Sequence, residues 1–283
     1  MLIRSNKLTI RGMTNTAIIS VRHLDAWYKT KTGRLHVLDN VSLEVEEGEI
    51  FSIVGPSGCG KTTLLNIILG LITDDMDIKG ELIIAGYNIL SMTHRDMLNF
   101  YRKIGIGYVS QKDTLLPWKT VLDNIFLGCK FRSNKNNVDF INAARQYIKL
   151  TGLNGFEGSY PSQLSGGMRQ RCMIARSLVY NPAILVMDEP LGALDAYTRM
   201  VLQKELTYIF SVTKKTTLFV THDIDEAIIA GTKIVVMSKR PGKIKRIFKC
   251  DIPYPRDPFK VKDTDEFKRL RDLVWQALKT EAE

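Results

Sequence analysis

The sequence lacks any long apolar segment. A helix that spans a bilayer needs about 20 consecutive apolar residues, and the most apolar stretch, residues 64–72, is short and interrupted by Asn66 and Gly70. The basic amino terminus has no apolar block behind it, which argues against a secretory signal. We therefore expect the protein to stay in the cytoplasm.

Cysteine and histidine are scarce, with four residues of each in 283. The cysteines at positions 59, 129, 172 and 250 are far apart, and none forms a CxxC pair or a His-rich ligand pattern. Reduced thiols are the simplest interpretation. Internal repeats, coiled-coil heptads and low-complexity linkers are also missing.

Basic residues outnumber acidic ones and give a net charge of +10. Such a charge fits a nucleic acid, an anionic lipid or a phosphate-rich ligand as partner, and also a mildly basic protein with none of these. The basic residues alternate with acids, as in residues 260–265, and form no long run. We expect no nucleic-acid partner.

Four short apolar runs are each followed by a glycine-rich or polar element. Continuous apolar strands are typical of a parallel sheet covered by helices on both faces, so the pattern predicts an α/β fold. Ligands of such sheets bind outside the carboxyl ends of the strands. The runs and the residues that follow them are 50–54 with Gly55, 106–110 with Gln111, 184–187 with Asp188 and Glu189, and 217–221 with His222.

The chain divides into a leader, one large domain and a tail. Residues 1–16 resemble a flexible leader, within which Met13 is a second candidate start. The main domain is expected over residues 17–250, with a helical insertion at about 112–180 in which residues 138–150 have apolar residues at helical spacing. The tail, residues 251–283, should contain one amphipathic helix.

Residues 55–62, GPSGCGKT, fit the phosphate-loop pattern GxxxxGK[ST] between an apolar strand and a helical run. The glycines let backbone N–H groups surround phosphates. Lys61 should reach the β- and γ-phosphates, and the Thr62 hydroxyl should bind Mg²⁺. The predicted nucleotide-binding residues here are Gly55, Ser57, Gly58, Cys59, Gly60, Lys61, Thr62 and Thr63.

An acidic pair, Asp188 and Glu189, ends another of the apolar runs. Successive strand residues point in opposite directions, so the two acids can have different roles. Asp188 suits the Mg²⁺ shell, through water, and Glu189 suits polarising the attacking water. Alone, such a pair is usually a solvated strand end, but the phosphate loop argues against that interpretation here.

Residues 164–170, LSGGMRQ, open a further predicted helix. Ser165 is a good N-cap, and Gly166 and Gly167 allow an anion to approach the backbone closely. Physical chemistry alone leaves two interpretations open, namely a second phosphate-binding helix start or simply a capped helix.

With this motif the sequence resembles the ABC ATPase family, whose signature is LSGG followed by RQR. The resemblance covers about residues 17–250 and includes the family's remaining motifs in order. Leu191 stands where phenylalanine is commoner in related sequences, which affects no catalytic assignment. The further matching positions are Tyr28 for adenine stacking, Gln111 for the Q-loop, Asp195 at the end of the D-loop and His222 as the switch histidine.

The resemblance implies a phosphate-loop NTPase core with an antiparallel β subdomain and a helical subdomain. ATP and Mg²⁺ are the implied cofactors. Glu189, His222 and Gln111 are the implied catalytic residues, and Thr62, Gln111 and Asp188 are the implied metal site. Trp27 competes with Tyr28 for the adenine. Two such domains dimerise head to tail, so Ser165 acts on the partner's nucleotide, and a homodimer is the simpler arrangement.

Three segments resemble ATPases of the nitrate, sulfonate and taurine import group: residues 115–118 with 120–125, residues 238–244 and residues 253–258. This implies transmembrane permease subunits as partners and, indirectly, a solute-binding protein, at the inner face of the cell membrane. Trp118 is either an anchor for the permease or a residue packed within the helical lobe. The alternatives are a soluble ABC ATPase acting on nucleic acid or ribosomes, and the ATPase of an export or lipid-transport system.

Overall fold

The computed structural model describes residues 17–129 and 137–279. The expected leader, residues 1–16, lies outside the described residues. No helix in the described part of the chain is long and apolar enough to cross a membrane.

The first two strands are long, with 14 residues each, and the others are shorter. They are β1 (Ala17–Thr30), β2 (Gly33–Glu46), β3 (Ile50–Val54), β4 (Met76–Ile84), β5 (Tyr87–Asn88), β6 (Ile106–Val109), β7 (Ile184–Asp188), β8 (Thr216–Thr221), β9 (Lys233–Met237) and β10 (Ile244–Lys249).

The α-helices within the described ranges lie mostly between these strands, and two follow the last one. They are α1 (Lys61–Ile68), α2 (His94–Ile104), α3 (Val121–Leu127), α4 (Asn137–Leu150), α5 (Gly166–Leu178), α6 (Ala196–Thr213), α7 (Ile224–Ala230), α8 (Pro258–Val261) and α9 (Asp265–Lys279).

The described strands form two sheets. The first is antiparallel, in the order β2-β1-β4-β5, and alternates buried and exposed residues along the second half of β2. The second has the order β10-β9-β3-β8-β7-β6, parallel throughout except for the antiparallel edge strand β10. Every residue of β3, β7 and β8 is buried, as expected for the largely apolar central strands of a parallel sheet. The expected α/β fold is confirmed.

Three apolar cores hold these layers together. One joins the antiparallel sheet to α1 and to one face of the parallel sheet. The second joins the other face to α3, α4, α5 and α6. The third joins β9 to α7 and α9. The parallel sheet is therefore covered on both sides, and its carboxyl edge is the place where loops remain accessible.

Local capping fixes where several helices begin. Ser165, Asp195 and Asp223 accept hydrogen bonds from backbone N–H groups in the first turns of α5, α6 and α7. Each of these polar residues stands at the end of a loop that carries one of the expected motifs. In the tail, a short helix α8 precedes α9, which begins at Asp265.

Candidate active site

Four loops meet at the carboxyl edge of the parallel sheet. In the register of the sheet, Val54 pairs with Thr221 and Asp188 pairs with Val220, so β3, β8 and β7 end at the same level. β6 ends one strand further along, beside β7. The phosphate loop, Gln111, the acidic pair and His222 therefore emerge side by side, although they are up to 167 positions apart in the chain (222 − 55).

The phosphate loop leads from β3 into α1. Gly60 has a φ of 106°, and a Cβ there would lie 2.8 Å from Leu38 Cδ2, so the loop requires glycine at this position. The Lys61 ammonium is buried and donates to the carbonyl oxygens of Gly55 at 2.7 Å and Pro56 at 2.8 Å. These bonds hold the lysine inside the curve of the loop, where it faces any phosphate that the loop binds.

The Cys59 side chain points into the protein core. It is buried, and burial raises the pKa of its thiol. Its Sγ lies 3.8 Å from Lys61 Nζ. The side chain therefore contributes packing beneath the loop, and only the backbone of Cys59 is placed to bind a phosphate.

A cavity of about 290 Å³ opens above this loop. Tyr28 lies in its wall, whereas neighbouring Trp27 stacks on His36 with ring centroids 4.7 Å apart. The structure thus places Tyr28, and not Trp27, where it can contact a bound base. The lining residues are Tyr28, Leu35, Val37, Ser57, Gly58, Gly60, Lys61, Thr62, Thr63, Glu189 and Arg240.

Sequence reasoning missed Leu35, Val37 and Arg240 in this wall. Arg240 follows β9, and its loop is tied to β2 because Gly242 N donates to Val37 O at 2.8 Å and Asp39 N donates to Gly242 O at 3.0 Å. These bonds join segments about 200 positions apart, so no local pattern could have placed Arg240 beside the phosphate loop.

Asp188 is buried at the end of β7. Burial raises the pKa of its carboxyl, while a hydrogen bond from the Thr62 side chain acts in the opposite direction. A threonine hydroxyl and an aspartate carboxyl therefore lie near each other beneath the phosphate loop. Hard oxygen donors of this kind suit Mg²⁺.

Glu189 is the point at which the loops converge. Its backbone has a φ of 45°, a conformation that is uncommon for a residue with a side chain and typical of functional sites. One carboxylate oxygen, Oε2, accepts from Gln111 Nε2 at 3.1 Å and lies 3.2 Å from His222 Nδ1. The end of β7 thus presents a carboxylate that two neighbouring loops hold in place, as a general base requires.

The residues of the LSGG motif and the D-loop lie together, and they are not part of the cavity wall. Ser165 caps α5 by accepting from Met168 N at 3.3 Å. A Cβ on Gly167 would lie 2.8 Å from Thr198 Cγ2, and one on Gly166 would lie 3.5 Å from Leu194 Cδ2. Asp195 caps α6, and the bond from Thr198 lowers the pKa of its carboxyl.

Comparison with known proteins identifies this arrangement. The family model described as "ABC transporter" matches residues 38–192, more than half of the chain. This chain belongs to the ABC transporter family. The chain is an ATP-binding subunit of this family and an ATPase, and the arrangement of Glu189 beside the phosphate loop fits that activity.

Two relatives match along most of the ABC subunit. An aliphatic sulfonates import ATP-binding protein of Bacillus cereus is 40% identical over 260 residues, 91% of this chain and 94% of the relative. A taurine import ATP-binding protein of Rhizobium johnstonii is 39% identical over 264 residues, 91% of this chain and 95% of the relative.

A solved structure shows the same fold. The dimeric structure of MJ0796, described as a bacterial ABC transporter cassette, superposes with a TM-score of 0.71 at 34% identity and covers 82% of this chain and 98% of that one. A second structure of MJ0796 is a post-hydrolysis state bound to ADP and Pi, with a TM-score of 0.71.

Proposed function

We propose that this ATPase powers the import of a small solute of the sulfonate, taurine or nitrate class, at the inner face of the cell membrane. The activity rests on one observation, the Glu189 carboxylate oxygen shared by Gln111 and His222 next to the phosphate loop. The solute class rests on the names of the two relatives, which concern sulfonates and taurine.

Mg²⁺ fits the site that we assign to Thr62, Asp188 and Gln111. The Thr62 hydroxyl lies near the Asp188 carboxyl, and because the Gln111 amide nitrogen donates to Glu189, the amide oxygen of Gln111 remains available as a ligand. When bound there, Mg²⁺ would supply positive charge that stabilises the negative charge developing on the phosphates during hydrolysis. Lys61 would bind the same phosphates from the loop side, and Glu189 would take up a proton from the attacking water.

A second ATPase subunit, in the simplest case a second copy of this chain, would complete each site. Ser165, Gly166 and Gly167 lie outside the wall of the cavity, so one subunit does not bring its own LSGG motif to its own nucleotide. In a head-to-tail dimer the capped start of α5 would instead face the partner's phosphates, where its free N–H groups attract an anion.

A groove of about 610 Å³ between α2 and the α3–α5 region suits a cytoplasmic element of the permease. Leu98, Tyr101 and Tyr108 give it an apolar wall, while Arg102 and Arg176 give it positive charge. Leu116 lies at its edge, and Trp118, two residues further on, is 70% exposed. The alternative in which Trp118 packs inside the helical lobe does not agree with this exposure.

The docking role of Trp118 has a direct test. Trp118→Ala should leave the melting temperature and the ATPase rate of the isolated subunit nearly unchanged, whereas loss of a fully buried tryptophan would cost about 3–5 kcal/mol. Assembly with the permease, measured by pull-down, should fall because exposed tryptophans are common interface anchors. Trp275→Ala, at another exposed tryptophan that lies on α9, is the matched control for the pull-down. An unchanged pull-down, or a large melting shift, would reject the docking role.

The solute class is tested by reconstitution. The chain would be co-expressed with the permease and solute-binding genes that neighbour its own gene, and uptake of taurine, an alkanesulfonate and nitrate would be measured in vesicles. We expect ATP-dependent uptake of one of these solutes, and none when the ATPase carries Glu189→Gln. Uptake of none of the three with an active ATPase would contradict the solute class while leaving the ATPase assignment in place.

A further inference from the structure

Helix α7 begins directly after the switch histidine, so its placement sets the placement of His222. The first turn is tied to the end of β8, since Thr221 Oγ1 donates to Glu226 Oε2 at 2.6 Å and Asp223 accepts from Glu226 N at 3.0 Å. The helix has only seven residues. So short a helix has little stability of its own, and its orientation must come from its surroundings.

The carboxyl end of α7 is held by one buried arginine from the tail. Arg256 is 2% exposed, and its Nη1 donates to the carbonyl oxygens of Ile228, Ile229 and Gly231, the last at 2.7 Å. A guanidinium is well suited here, because the final carbonyls of a helix lack partners and carry partial negative charge.

The same guanidinium is fixed on its other side by the tail itself. Arg256 Nε and Nη2 donate to Ile252 O at 2.9 and 2.6 Å, and the guanidinium carbon lies 4.2 Å from the centre of the Tyr254 ring. Tyr254 in turn donates its hydroxyl hydrogen to Ala230 O. Segment 252–256 is therefore joined to the last turn of α7 by several hydrogen bonds.

The amino end of α7 is held by the helices of the tail. Asp225 pairs with Lys262 Nζ at 2.9 Å and with Arg271 Nε at 3.2 Å. Between the two ends, Ala227 and Ile228 belong to the same apolar core as Phe267 and Val274 of α9.

Helix α9 of the tail also lies close to His222 itself. A cavity of about 580 Å³ is lined by His222, Asp223 and Asp225 on one side and by Arg271 and Trp275 of α9 on the other. The His222 side chain is more than half exposed, and its Nδ1 lies 3.2 Å from Glu189 Oε2. The point from which its ring reaches Glu189 is set by the backbone between β8 and α7.

We propose that the tail, residues 252–279, sets the position of His222 relative to Glu189 by holding α7 at both ends, and that Arg256 and Asp225 are positioning residues for ATP hydrolysis. This inference rests on the proposed catalytic role of His222. Arg256 and Asp225 touch neither the nucleotide cavity nor Glu189 in the described contacts, so their effect on hydrolysis would pass through α7.

The first test is a kinetic one on the full chain. Asp225→Asn removes both ion pairs at the amino end, and we expect kcat to fall by at least about threefold while KM for ATP changes by less than about twofold, because the histidine moves and the nucleotide cavity does not. Ion pairs at partly exposed positions such as these contribute little to folding, so the melting temperature should stay close to that of the wild type. The control is Asp263→Asn, the same change at an exposed tail position, which should leave kcat unchanged.

The second test follows the histidine directly. The chain has four histidines, so the His222 ring signal in an NMR spectrum can be assigned from the His222→Ala variant. Arg256→Lys keeps the charge but cannot bond both α7 and Ile252 in the same way. It should shift the His222 signal, leave those of His23 and His36 in place and lower kcat. Arg246→Lys, at an exposed position on β10, should leave both the His222 signal and kcat unchanged.

The outcomes separate two failures. If His222→Ala hydrolyses ATP normally, the catalytic role of His222 is wrong. If His222→Ala is inactive while Asp225→Asn and Arg256→Lys keep the wild-type kcat at temperatures where they are folded, the role of the tail is overturned and that of His222 stands. A drop in melting temperature alone, without a change in kcat or in the His222 signal, would show a structural role only.

Discussion

At the scale of single residues, Glu189 is the group on which hydrolysis should depend most. Glu189→Gln keeps the size of the side chain but removes the base, so ATP turnover should fall by about 10²–10⁴-fold. ATP binding should persist, and an ATP-bound dimer should accumulate because repulsion near the γ-phosphate is relieved. Steady-state ATPase assays and size-exclusion chromatography with ATP measure the two effects. Glu47→Gln, at an exposed turn, is the control. Near-normal turnover would refute the assignment.

Arg240 carries a prediction that arises only from the structure. Its position in the wall of the nucleotide cavity places a positive charge near the ligand's phosphates or ribose. Loss of one charge-assisted hydrogen bond weakens binding by about tenfold, so Arg240→Ala should raise KM for ATP by roughly that factor with little change in kcat. Lys239→Ala, next in the chain and outside this wall, is the control. An unchanged KM would mean that Arg240 does not contact the nucleotide.

These residues also show where local sequence stops being informative. The phosphate loop, the acidic pair and the start of α5 could be predicted because each is a short motif whose chemistry and neighbouring elements are written in consecutive residues. Arg240 and Arg256 could not, because their environments are built by contacts with β2 and α7 that only the folded chain creates.

At the scale of secondary-structure elements, apolar run length predicted the buried strands well. Residues 50–54 became β3 without adjustment, and residues 138–150 lie within α4. Side-chain burial within loops was harder to anticipate. The segment around Trp118 left docking and packing open, and only the exposure in the folded structure separates them.

Helix α7 contains a buried acid whose titration should affect stability. Burial raises the pKa of the Glu226 carboxyl, and the bond from Thr221 opposes this effect. An acid with a raised folded-state pKa contributes stability below its unfolded-state pKa and loses that contribution as the pH rises through the folded-state value. Glu226→Gln removes this loss and keeps an oxygen for Thr221.

The free energy of unfolding of Glu226→Gln, minus that of the wild type, should therefore increase as the pH rises from about 5 to 8. Urea denaturation at several pH values measures the difference. The exposed Glu47→Gln variant should show a much smaller dependence on pH. A Glu226→Gln difference that stays constant over this range, or that reverses, would contradict the raised pKa.

At the scale of the whole molecule, the sequence predicted a parallel sheet with the functional residues at the carboxyl ends of its strands. It did not predict the order of the strands. The apolar runs predict that β3, β6, β7 and β8 are buried. The order β3-β8-β7-β6 depends instead on which face of the sheet each connecting helix crosses. Because of that order, Gln111 and His222 both lie next to one carboxylate oxygen of Glu189.

The head-to-tail dimer is a whole-molecule hypothesis, and the separation of Ser165 from the nucleotide cavity makes it testable. In this arrangement each site uses Lys61 of one chain and Ser165 of the other. Two lesions are introduced, Lys61→Ala against the phosphate loop and Ser165→Arg against the capped start of α5. If the two lesions are on different chains, both fall in the same nucleotide site, and the second site of the dimer stays intact. If they are on one chain, each site receives one lesion.

The experiment compares these two mixed dimers, which have identical composition. All chains carry Glu189→Gln so that bound ATP persists, and differently tagged chains allow each mixed dimer to be purified. We expect about one occluded ATP per dimer when the lesions are on different chains and almost none when they are on one chain, because a closed site needs both an intact phosphate loop and an intact helix start. The opposite result, with occlusion only when one chain carries both lesions, would show that each subunit completes its own site and would reject the head-to-tail dimer.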